Sequence, residues 1–479
     1  MLLWFVILYL AVSIAIGLIA AMQVHNTRDY VTAGRHLPIY IVFATVFATW
    51  FGAETVLGIS ATFLREGLGG LVSDPFGASL CLILVGLFFA RPLYRMNLLT
   101  IGDYYRQRYN RPVEVATSIC IALSYLGWVS AQVTALGLVF NVLSQGTLSP
   151  AQGMIIGASV VLVYTLFGGM WSVALTTFFQ MVIIVLGLLY IAWLVSDMAG
   201  GVGTVVKHAS DNGKFEFWPR LTAVDMLAFV AAWITMGFGS IPQQDVFQRV
   251  NSSKNENTAV YGTILGGIAY FLFAMVPLFL AYAATLIDPK MVAELIGKDS
   301  QLILPSLIVN HLPLYAQIVF YGALLSVIMS TASGTLLAPS VTIAENVLKD
   351  LFGELTDRQF LLMTRVVVVC FALLVTLYSI FSETTIQKMV ENAYKVTLVA
   401  AFVPLVCGLY WTRATTQGAT LAIIGGLATW IGLEIFLPVG LWPPQLAGFL
   451  AAATGMVVGS LLPQWYGAAP RRGAHAEPA

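Results

Sequence analysis

The chain has 479 residues, of which 59% are hydrophobic and only 10% are charged, whereas a soluble domain carries about 25% charged residues. This composition excludes a soluble globular protein and predicts an all-α integral membrane protein surrounded by membrane lipid. The formal net charge is zero, so no basic excess points to nucleic acid as a partner.

The first predicted span covers residues 2–22, which is too long for the core of a secretory signal peptide and lacks its basic start. It leads into a loop with Arg28 and Arg35, and residues 91–111 contain five more arginines. Cytoplasmic loops are rich in Lys and Arg, so we expect both loops in the cytoplasm and the N-terminus outside. About 15 Lys and Arg fall in predicted cytoplasmic loops and about 8 elsewhere, which predicts a cytoplasmic C-terminus.

The second span, from residue 39, is interrupted. Its centre reads FATWFGAETVLGIS (Phe47 to Ser60), with Trp50 and Gly52 ahead of Glu54. A charge at mid-membrane costs about 2.5–3.5 kcal/mol on insertion scales. Such a residue beside a glycine indicates a broken helix whose freed backbone groups bind an ion or a solute. The alternative is an ordinary helix in which a neighbour hydrogen-bonds to Glu54.

We predict about 13 spans in all. After the first two, they cover approximately residues 76–90, 113–142, 152–167, 173–194, 221–239, 258–287, 314–347, 360–381, 386–410, 418–437 and 447–462. Residues 1–464 are then one transmembrane domain. Residues 465–479, rich in small and basic residues, are predicted to be a disordered cytoplasmic tail.

The breaks suggest internal symmetry. If the first helix stands outside the core, the next ten spans divide into residues 39–195 and 221–410, and helices 2–22, 418–437 and 447–462 flank them. The first helix of each set is interrupted by glycine, and in the second set we expect the break at Met236 to Gly239, ahead of Pro242. This pattern is typical of an inverted-repeat transporter with its site at mid-membrane. Alternatively, the glycines serve close helix packing.

The strongest local constellation is SVIMSTASGTLLAPS, Ser326 to Ser340. Neighbours on a helix lie about 100° apart, so the hydroxyls of Ser330 and Thr331 bracket one sector. A hard monovalent cation takes several oxygens, which two hydroxyls and the carbonyls of a nearby break would supply. The alternative is that both hydroxyls bond to carbonyls of the preceding turn and bend the helix.

Four runs, spread over nearly the whole chain, resemble motifs of the sodium:solute symporter family, which includes carriers for proline, sugars, pantothenate and choline. They are YTLFGGMWS (Tyr164 to Ser172), IPQQDVFQRV (Ile241 to Val250), GALLSVIMSTASG (Gly322 to Gly334) and GLYWTRATTQGA (Gly408 to Ala419). The resemblance implies a LeuT-like fold, an inverted repeat of five and five core helices whose first and sixth are broken. It also implies a symporter that imports a small organic solute with sodium across the cytoplasmic membrane by alternating access.

Carried over residue by residue, the resemblance implies where sodium binds. The ligands would be the carbonyls of Ala48, Phe51 and Val327 and the hydroxyls of Ser330 and Thr331. Five oxygens suit a sodium ion.

The solute is expected beside the two breaks. Trp50, Glu54 and Thr55 would contact it on one side, and Gln243 and Gln244 on the other.

The segments around these residues look closest to the choline-transporter branch, whose aromatic cage holds a quaternary ammonium by cation–π contact. Trp50 and Trp128 match that cage, whereas Gln243 stands where the branch has a tryptophan and Glu54 adds a carboxylate. A quaternary amine, an amino acid and a hydroxylated solute therefore all stay open. Many family members also carry an aspartate where this chain has Thr177, which leaves sodium or proton coupling open.

Two other functions remain as alternatives: a proton-coupled transporter of the same fold, and a solute sensor that acts with a separate signalling partner. The chain shows no HExxH, GxSxG or P-loop pattern, so it is not predicted to be an enzyme. An oligomer is not required. Glu391 and Lys395, four residues apart, are expected to pair at the membrane interface or at a gate.

Overall fold

The computed structural model describes residues 2–437 and 440–466, and within these ranges the architecture is helical. The first α-helices along the chain are α1 (Leu2–Ala21), α2 (Thr27–Thr32), α3 (Ile39–Trp50), α4 (Ile59–Glu66), α5 (Ala78–Leu84), α6 (Ala90–Arg95), α7 (Ile101–Arg108), α8 (Arg111–Leu143), α9 (Pro150–Met198) and α10 (Val202–Asp211). The later ones are α11 (Ala223–Gly239), α12 (Gln244–Ser252), α13 (Glu256–Ile287), α14 (Pro289–Leu295), α15 (Ile303–His311), α16 (Leu314–Ile343), α17 (Asp357–Phe381), α18 (Ile386–Thr397), α19 (Val403–Tyr410), α20 (Thr416–Phe436) and α21 (Pro444–Leu461).

Short turns of wider or tighter helix join some of these elements. The wider, π-helical turns are Glu54–Gly58, Val72–Gly77, Val85–Phe89, Ala344–Leu348 and Leu398–Phe402. The tighter, 3-10 turns are Ala33–Arg35, Gly67–Leu71, Ser300–Leu302 and Lys349–Leu351.

In the described ranges, 10 helices are long and apolar enough to cross a membrane, or up to 11 if the bent pair α11 and α12 is one span. Helix α9 alone has 49 residues, which is roughly 74 Å at 1.5 Å per residue, about two and a half times the hydrocarbon thickness of a bilayer, which is about 30 Å. Gly169, with φ of 47°, kinks it where the sequence predicts the end of one span and the start of the next. The count of 13 depends on how such long helices are divided and stays a prediction.

The predicted break in the second span lies at Phe51 to Ala53. Helix α3 ends at Trp50, Phe51 takes a non-helical conformation (φ −83°, ψ 76°), and helix resumes at Glu54. The Gly52 N–H bonds to the carbonyl of Trp50 at 3.0 Å instead of to the carbonyl of the preceding helical turn. The chain therefore changes course there and leaves helical carbonyls without their usual partners.

The second break was placed too early by sequence. The glycines of Met236 to Gly239 stay helical, and α11 meets α12 at 42° after a turn that contains Pro242. Proline has no N–H and disfavours helix in the residue before it, so the break falls there. A Cβ on Gly239 would lie 2.5 Å from the Tyr394 carbonyl oxygen, so close packing accounts for that glycine.

The two broken segments run side by side. Leu37, just before α3, pairs in a parallel bridge with Ser253, just after α12. The Leu37 N–H bonds to the Ser252 carbonyl at 2.9 Å, and the Lys254 N–H bonds to the Leu37 carbonyl at 3.0 Å. This bridge fixes the relative register of both breaks, and α16 packs against α3, α9 and α12 beside them.

Large apolar side chains cover the outside of the bundle. Leu186, Trp193 and Leu272, all on long apolar helices, are 64–66% exposed. Exposed apolar side chains of this kind are typical of the outer face of a membrane-spanning bundle. The orientation of the termini, the division into two repeats and the single domain at residues 1–464 stay predictions, and most of the predicted tail lies outside the described residues.

Candidate ion and solute site

A cluster of neutral oxygens joins the first break to α16. The Ser330 hydroxyl oxygen lies 2.7 Å from the Ala48 carbonyl oxygen and 2.9 Å from that of Val327. The Thr331 hydroxyl oxygen lies 3.2 Å from the Val327 carbonyl and 3.5 Å from that of Ala48. Four of the five predicted sodium ligands are thus together, and we call them the oxygen cluster. Phe51, the fifth, makes no hydrogen bond to them among the described residues.

The sequence explains why these oxygens meet. Because the Gly52 N–H bonds to the Trp50 carbonyl, it does not cap Ala48, whose carbonyl instead accepts from α16. Tyr164, in the run that resembles the family signature, donates its hydroxyl to the Met329 carbonyl at 3.1 Å and secures α16 at the same level. The cluster holds no charged side chain, so it suits a hard monovalent cation better than a divalent one.

Four aromatic rings lie directly beside the break, and we call them the aromatic cluster. The centroid of Trp50 is 5.6 Å from that of Trp128 and 6.2 Å from that of Tyr394. Trp128 is 5.6 Å from Tyr394 and stacks on Tyr125 at 6.0 Å. All four side chains are buried. The two tyrosines were missed by sequence, although Tyr125 is one helical turn before Trp128.

Glu54 is 2% exposed and is held by neutral groups. Its two carboxylate oxygens accept from Trp128 Nε1 at 3.0 Å and from Gln132 Nε2 at 2.7 Å. Trp128 and Gln132 are four residues apart on α8, so they share one helix face. Gln132 in turn accepts from the Ala53 N–H at 3.0 Å, which ties α8 to the break. Among the described residues, no Lys, Arg or His forms an ion pair with Glu54.

The other predicted solute contacts divide. The Thr55 hydroxyl lies 3.2 Å from the Tyr270 hydroxyl, behind the break. Gln243 donates to the Ser124 hydroxyl at 2.9 Å, at the edge of the aromatic cluster. Gln244 instead accepts from the Ile101 N–H at 2.8 Å, which holds its side chain at α7.

Sequence reasoning missed a buried acid and base after the second break. Asp245 accepts from the Tyr125 hydroxyl at 2.5 Å and from Trp50 Nε1 at 3.2 Å. Arg249 lies 4.0 Å from that carboxylate and donates to the Asp245 carbonyl at 2.6 Å and to the Thr49 hydroxyl at 2.8 Å. The signal was present, because an acid and a base four residues apart on a helix lie on one face and can pair.

The expected pair of Glu391 and Lys395 does not form. Glu391 accepts from the Ser73 hydroxyl at 2.9 Å and from Gln387 at 3.0 Å, whereas Lys395 lies 3.6 Å from Glu434 of α20. Both side chains find nearer partners on other elements. Glu391 lines a cavity of about 880 Å³ that also touches Ser73 and Gln387, which we call the large cavity.

Thr177, where many family members carry an acid, is buried, and its hydroxyl has no hydrogen-bond partner in the described part of the chain. It adds no charge near the oxygen cluster.

A family model described as "Sodium:solute symporter family" matches residues 30–426. The chain is 27% identical over 449 residues to the high affinity choline transporter 1 of Homo sapiens. This alignment covers 88% of this chain and 75% of that protein. The chain is 25% identical to the high-affinity proline transporter of Bacillus subtilis (strain 168), over 94% of this chain and 95% of that one. A solved Na+-coupled sialic acid symporter in a substrate-bound outward-open state aligns with a TM-score of 0.81 and 18% identity, covering 96% and 97% of the two chains. The last likeness shows the fold alone.

Proposed function

The chain belongs to the sodium:solute symporter family, and on that premise we propose which of its residues bind the ion and the solute. The prediction of a LeuT-like sodium-coupled symporter for a small organic solute is confirmed by the family match, by its transporter relatives and by the fold. We propose further that sodium binds at the oxygen cluster and that the solute is a small organic cation or zwitterion held in the aromatic cluster against Glu54.

The oxygen cluster supports sodium as the ion. Each hydroxyl has one proton, so the Ser330 and Thr331 oxygens can turn their lone pairs to a cation that lies between them and the two carbonyls. The cation would join α16 to the unwound end of α3. Because one of its ligands exists only while α3 is broken, ion binding stabilises the conformation that also shapes the aromatic cluster.

The charge state of Glu54 carries the proposal for the solute. A buried carboxylate with only neutral donors is costly unless a cation or a proton neutralises it. Asp245 has Arg249 close by, and Glu54 has no such partner in the described residues. A solute with a positively charged nitrogen would supply the missing charge.

The rings around Glu54 suit the same nitrogen. A cation over the face of a buried aromatic ring gains about 0.5–2 kcal/mol, and three rings of the aromatic cluster lie within 5.6–6.2 Å of one another. Choline and proline, named in the relatives, both carry a positively charged nitrogen. Glu54 would hold the ammonium group of either class.

Inward transport follows from the energetics. With the N-terminus outside and the usual inside-negative potential, one sodium ion gains about 2.3 kcal/mol over 100 mV and about 1.4 kcal/mol from a tenfold gradient. Together these accumulate a solute several hundred-fold.

The experiment is uptake into proteoliposomes of a labelled quaternary amine and a labelled zwitterionic amino acid, each with inward sodium or potassium gradients. We expect sodium-dependent uptake of at least one of the two and its loss in the double variant Ser330→Ala with Thr331→Ala. Ser340→Ala is the matched control, because Ser340 is also buried on α16 but bonds only to the Leu336 carbonyl, at 2.8 Å. Uptake that does not depend on sodium and that is unchanged in the double variant would contradict the proposal and favour proton coupling.

A further inference from the structure

A third buried carboxylate is linked to the first break through Tyr270 and Thr55. Asp74, in the π-helical turn before α5, is 3% exposed. One of its oxygens accepts a hydrogen bond from the Tyr270 hydroxyl of α13. Its other oxygen is buried and has no hydrogen-bond partner in the described part of the chain. Buried polar atoms are rarely left in that state, so this oxygen calls for a ligand.

The neighbouring hydroxyls cannot satisfy it. Tyr270 uses its one proton on Asp74, and the Thr55 hydroxyl, 3.2 Å from the Tyr270 oxygen, has the Tyr270 oxygen and the Trp50 carbonyl (3.4 Å) as its acceptors. No Lys, Arg or His pairs with Asp74 among the described residues. The result is a row of oxygens, from an acid, a phenol, a hydroxyl and a carbonyl, that has no basic partner among the described residues.

The large cavity reaches the residue next to Asp74 in the chain. Ser73, the residue before Asp74, lines that cavity and donates to Glu391, which also lines it. An acidic residue at the wall of a cavity raises the local concentration of cations. A cation that enters the cavity would meet Glu391 and the Ser73 hydroxyl, and Asp74 is the next residue in the chain.

We propose that Asp74, with the hydroxyls of Tyr270 and Thr55, is a second sodium subsite, separate from the oxygen cluster. The inference rests on the proposed function, because it adds a second sodium ion to the one that would bind at the oxygen cluster. Two sodium ions would then accompany each solute. Thr55 follows Glu54 directly, so a cation at this subsite would also partly neutralise the solute-binding carboxylate.

The test compares initial influx of labelled sodium and of labelled solute in the same proteoliposomes, with the membrane potential clamped. We expect about two sodium ions per solute in the parent protein and about one in Asp74→Asn. At a potential of 100 mV and a tenfold sodium gradient, the loss of one ion lowers the maximal accumulation several hundred-fold. Asp74→Glu, which keeps the charge, should restore a ratio above one.

Asp225→Asn is the matched control, because it makes the same change at an acid that lines the large cavity and has no part in the proposed subsite, and its ratio should equal that of the parent. If Asp74→Asn does not reach the membrane folded, Tyr270→Phe replaces it, and the sodium concentration for half-maximal uptake should rise about tenfold.

The outcomes separate this inference from the proposed function. Uptake by the parent that ignores sodium defeats the proposed function. Sodium-dependent uptake with an unchanged ratio in Asp74→Asn, or with unchanged sodium dependence in Tyr270→Phe, overturns the second subsite alone. A loss of solute affinity with an unchanged sodium ratio also overturns it, because it assigns Asp74 to the ammonium group of the solute. So does a loss of the pH dependence of uptake at an unchanged sodium ratio, because it assigns Asp74 to a proton.

Discussion

The two helix breaks carry acids that are neutralised in different ways. Glu54 follows the first break and accepts only from a tryptophan and a glutamine. Asp245 follows the second and lies 4.0 Å from Arg249 on the same helix. An acid with its own arginine is a fixed part of the fold, whereas an acid with neutral donors takes its counter-charge from outside. From this comparison we propose that Asp245 is a structural carboxylate and that Glu54 is the one that binds the solute.

The largest effect should come from removing the arginine. Arg249→Met leaves Asp245 buried and uncompensated, and breaking such a pair costs about 3–5 kcal/mol. Thermal unfolding of the purified variant measures the loss. Lys298→Met, in an exposed pair with Glu294 at 2.8 Å, should change stability by under about 1 kcal/mol. Equal stability of both variants would show that Arg249 has no structural role.

Exchanging each carboxylate for its amide should separate the two breaks. Glu54→Gln removes a buried charge without a partner, so the solute-free protein should keep or gain stability. Its solute affinity should fall about 100-fold, as for a loss of about 2.7 kcal/mol. Asp245→Asn should instead lose stability, because it strands Arg249. Isothermal titration calorimetry measures the solute affinity of each variant, and thermal unfolding measures its stability. If both variants changed in the same way, the two carboxylates would not have different roles.

The oxygen cluster should respond to single hydroxyls. Thr331→Val keeps the shape of the side chain but removes one ligand, and the half-saturating sodium concentration should rise about tenfold, as for about 1.4 kcal/mol. Thr331→Ser keeps the hydroxyl and should change it by less than about threefold. Sodium titrations of uptake measure this concentration for both variants. Equal values for the two variants would show that the Thr331 hydroxyl is not a sodium ligand.

The aromatic cluster should act through its rings. Tyr394 stacks on Trp50, and its hydroxyl has no partner among the described residues, so Tyr394→Phe should bind the solute as the parent does. Tyr394→Leu removes the ring and should weaken the binding of an organic cation by about 2- to 30-fold, which corresponds to about 0.5–2 kcal/mol. A similar loss for an uncharged analogue would argue against cation–π contact.

The smallest effect lies far from both breaks, at the start of α14. Hydrogen bonds from the Met291 N–H at 3.0 Å and from His311 at 2.8 Å lower the pKa of Asp288 below its usual value. The stabilisation is therefore present above the pKa of an unfolded aspartate, near 4, and is lost as the pH falls through the lower folded value. The difference in melting temperature between the parent and Asp288→Ala should be small at pH 7 and smaller at pH 4. A difference that grows as the pH falls would contradict this sign.

Sequence predicted the fold class, and it also predicted the first break and the meeting of four oxygens in the candidate site, because the decisive features are local. A charge beside glycine marked the first break, and adjacent hydroxyls in an apolar helix marked Ser330 and Thr331. The position of the second break was harder to predict, because Pro242 determines it more strongly than the two glycines before it. The orientation of Gln244 was also harder to predict, because it depends on a hydrogen bond from the Ile101 N–H.

The contacts between distant elements could not be predicted. Tyr394 stacks on Trp50 although more than 300 residues separate the two in the sequence. The hydrogen-bond partner of Asp74 is likewise on another helix, at Tyr270. The pairing of Lys395 with Glu434 likewise depends on how α18 and α20 pack. Such pairs follow from tertiary packing, which no local pattern encodes.

Thermal unfolding of the purified protein with a quaternary ammonium alcohol, its uncharged tert-butyl analogue and an organic anion, each in sodium and in potassium, tests the central claim most directly. A ligand at about 100 times its dissociation constant adds about 2.7 kcal/mol of stability. We expect that the cation stabilises the parent in sodium and far less in potassium, that the uncharged analogue and the anion do not, and that Glu54→Gln removes most of the shift. Stabilisation by the anion or the uncharged analogue, or equal stabilisation by the cation in both salts, would contradict it.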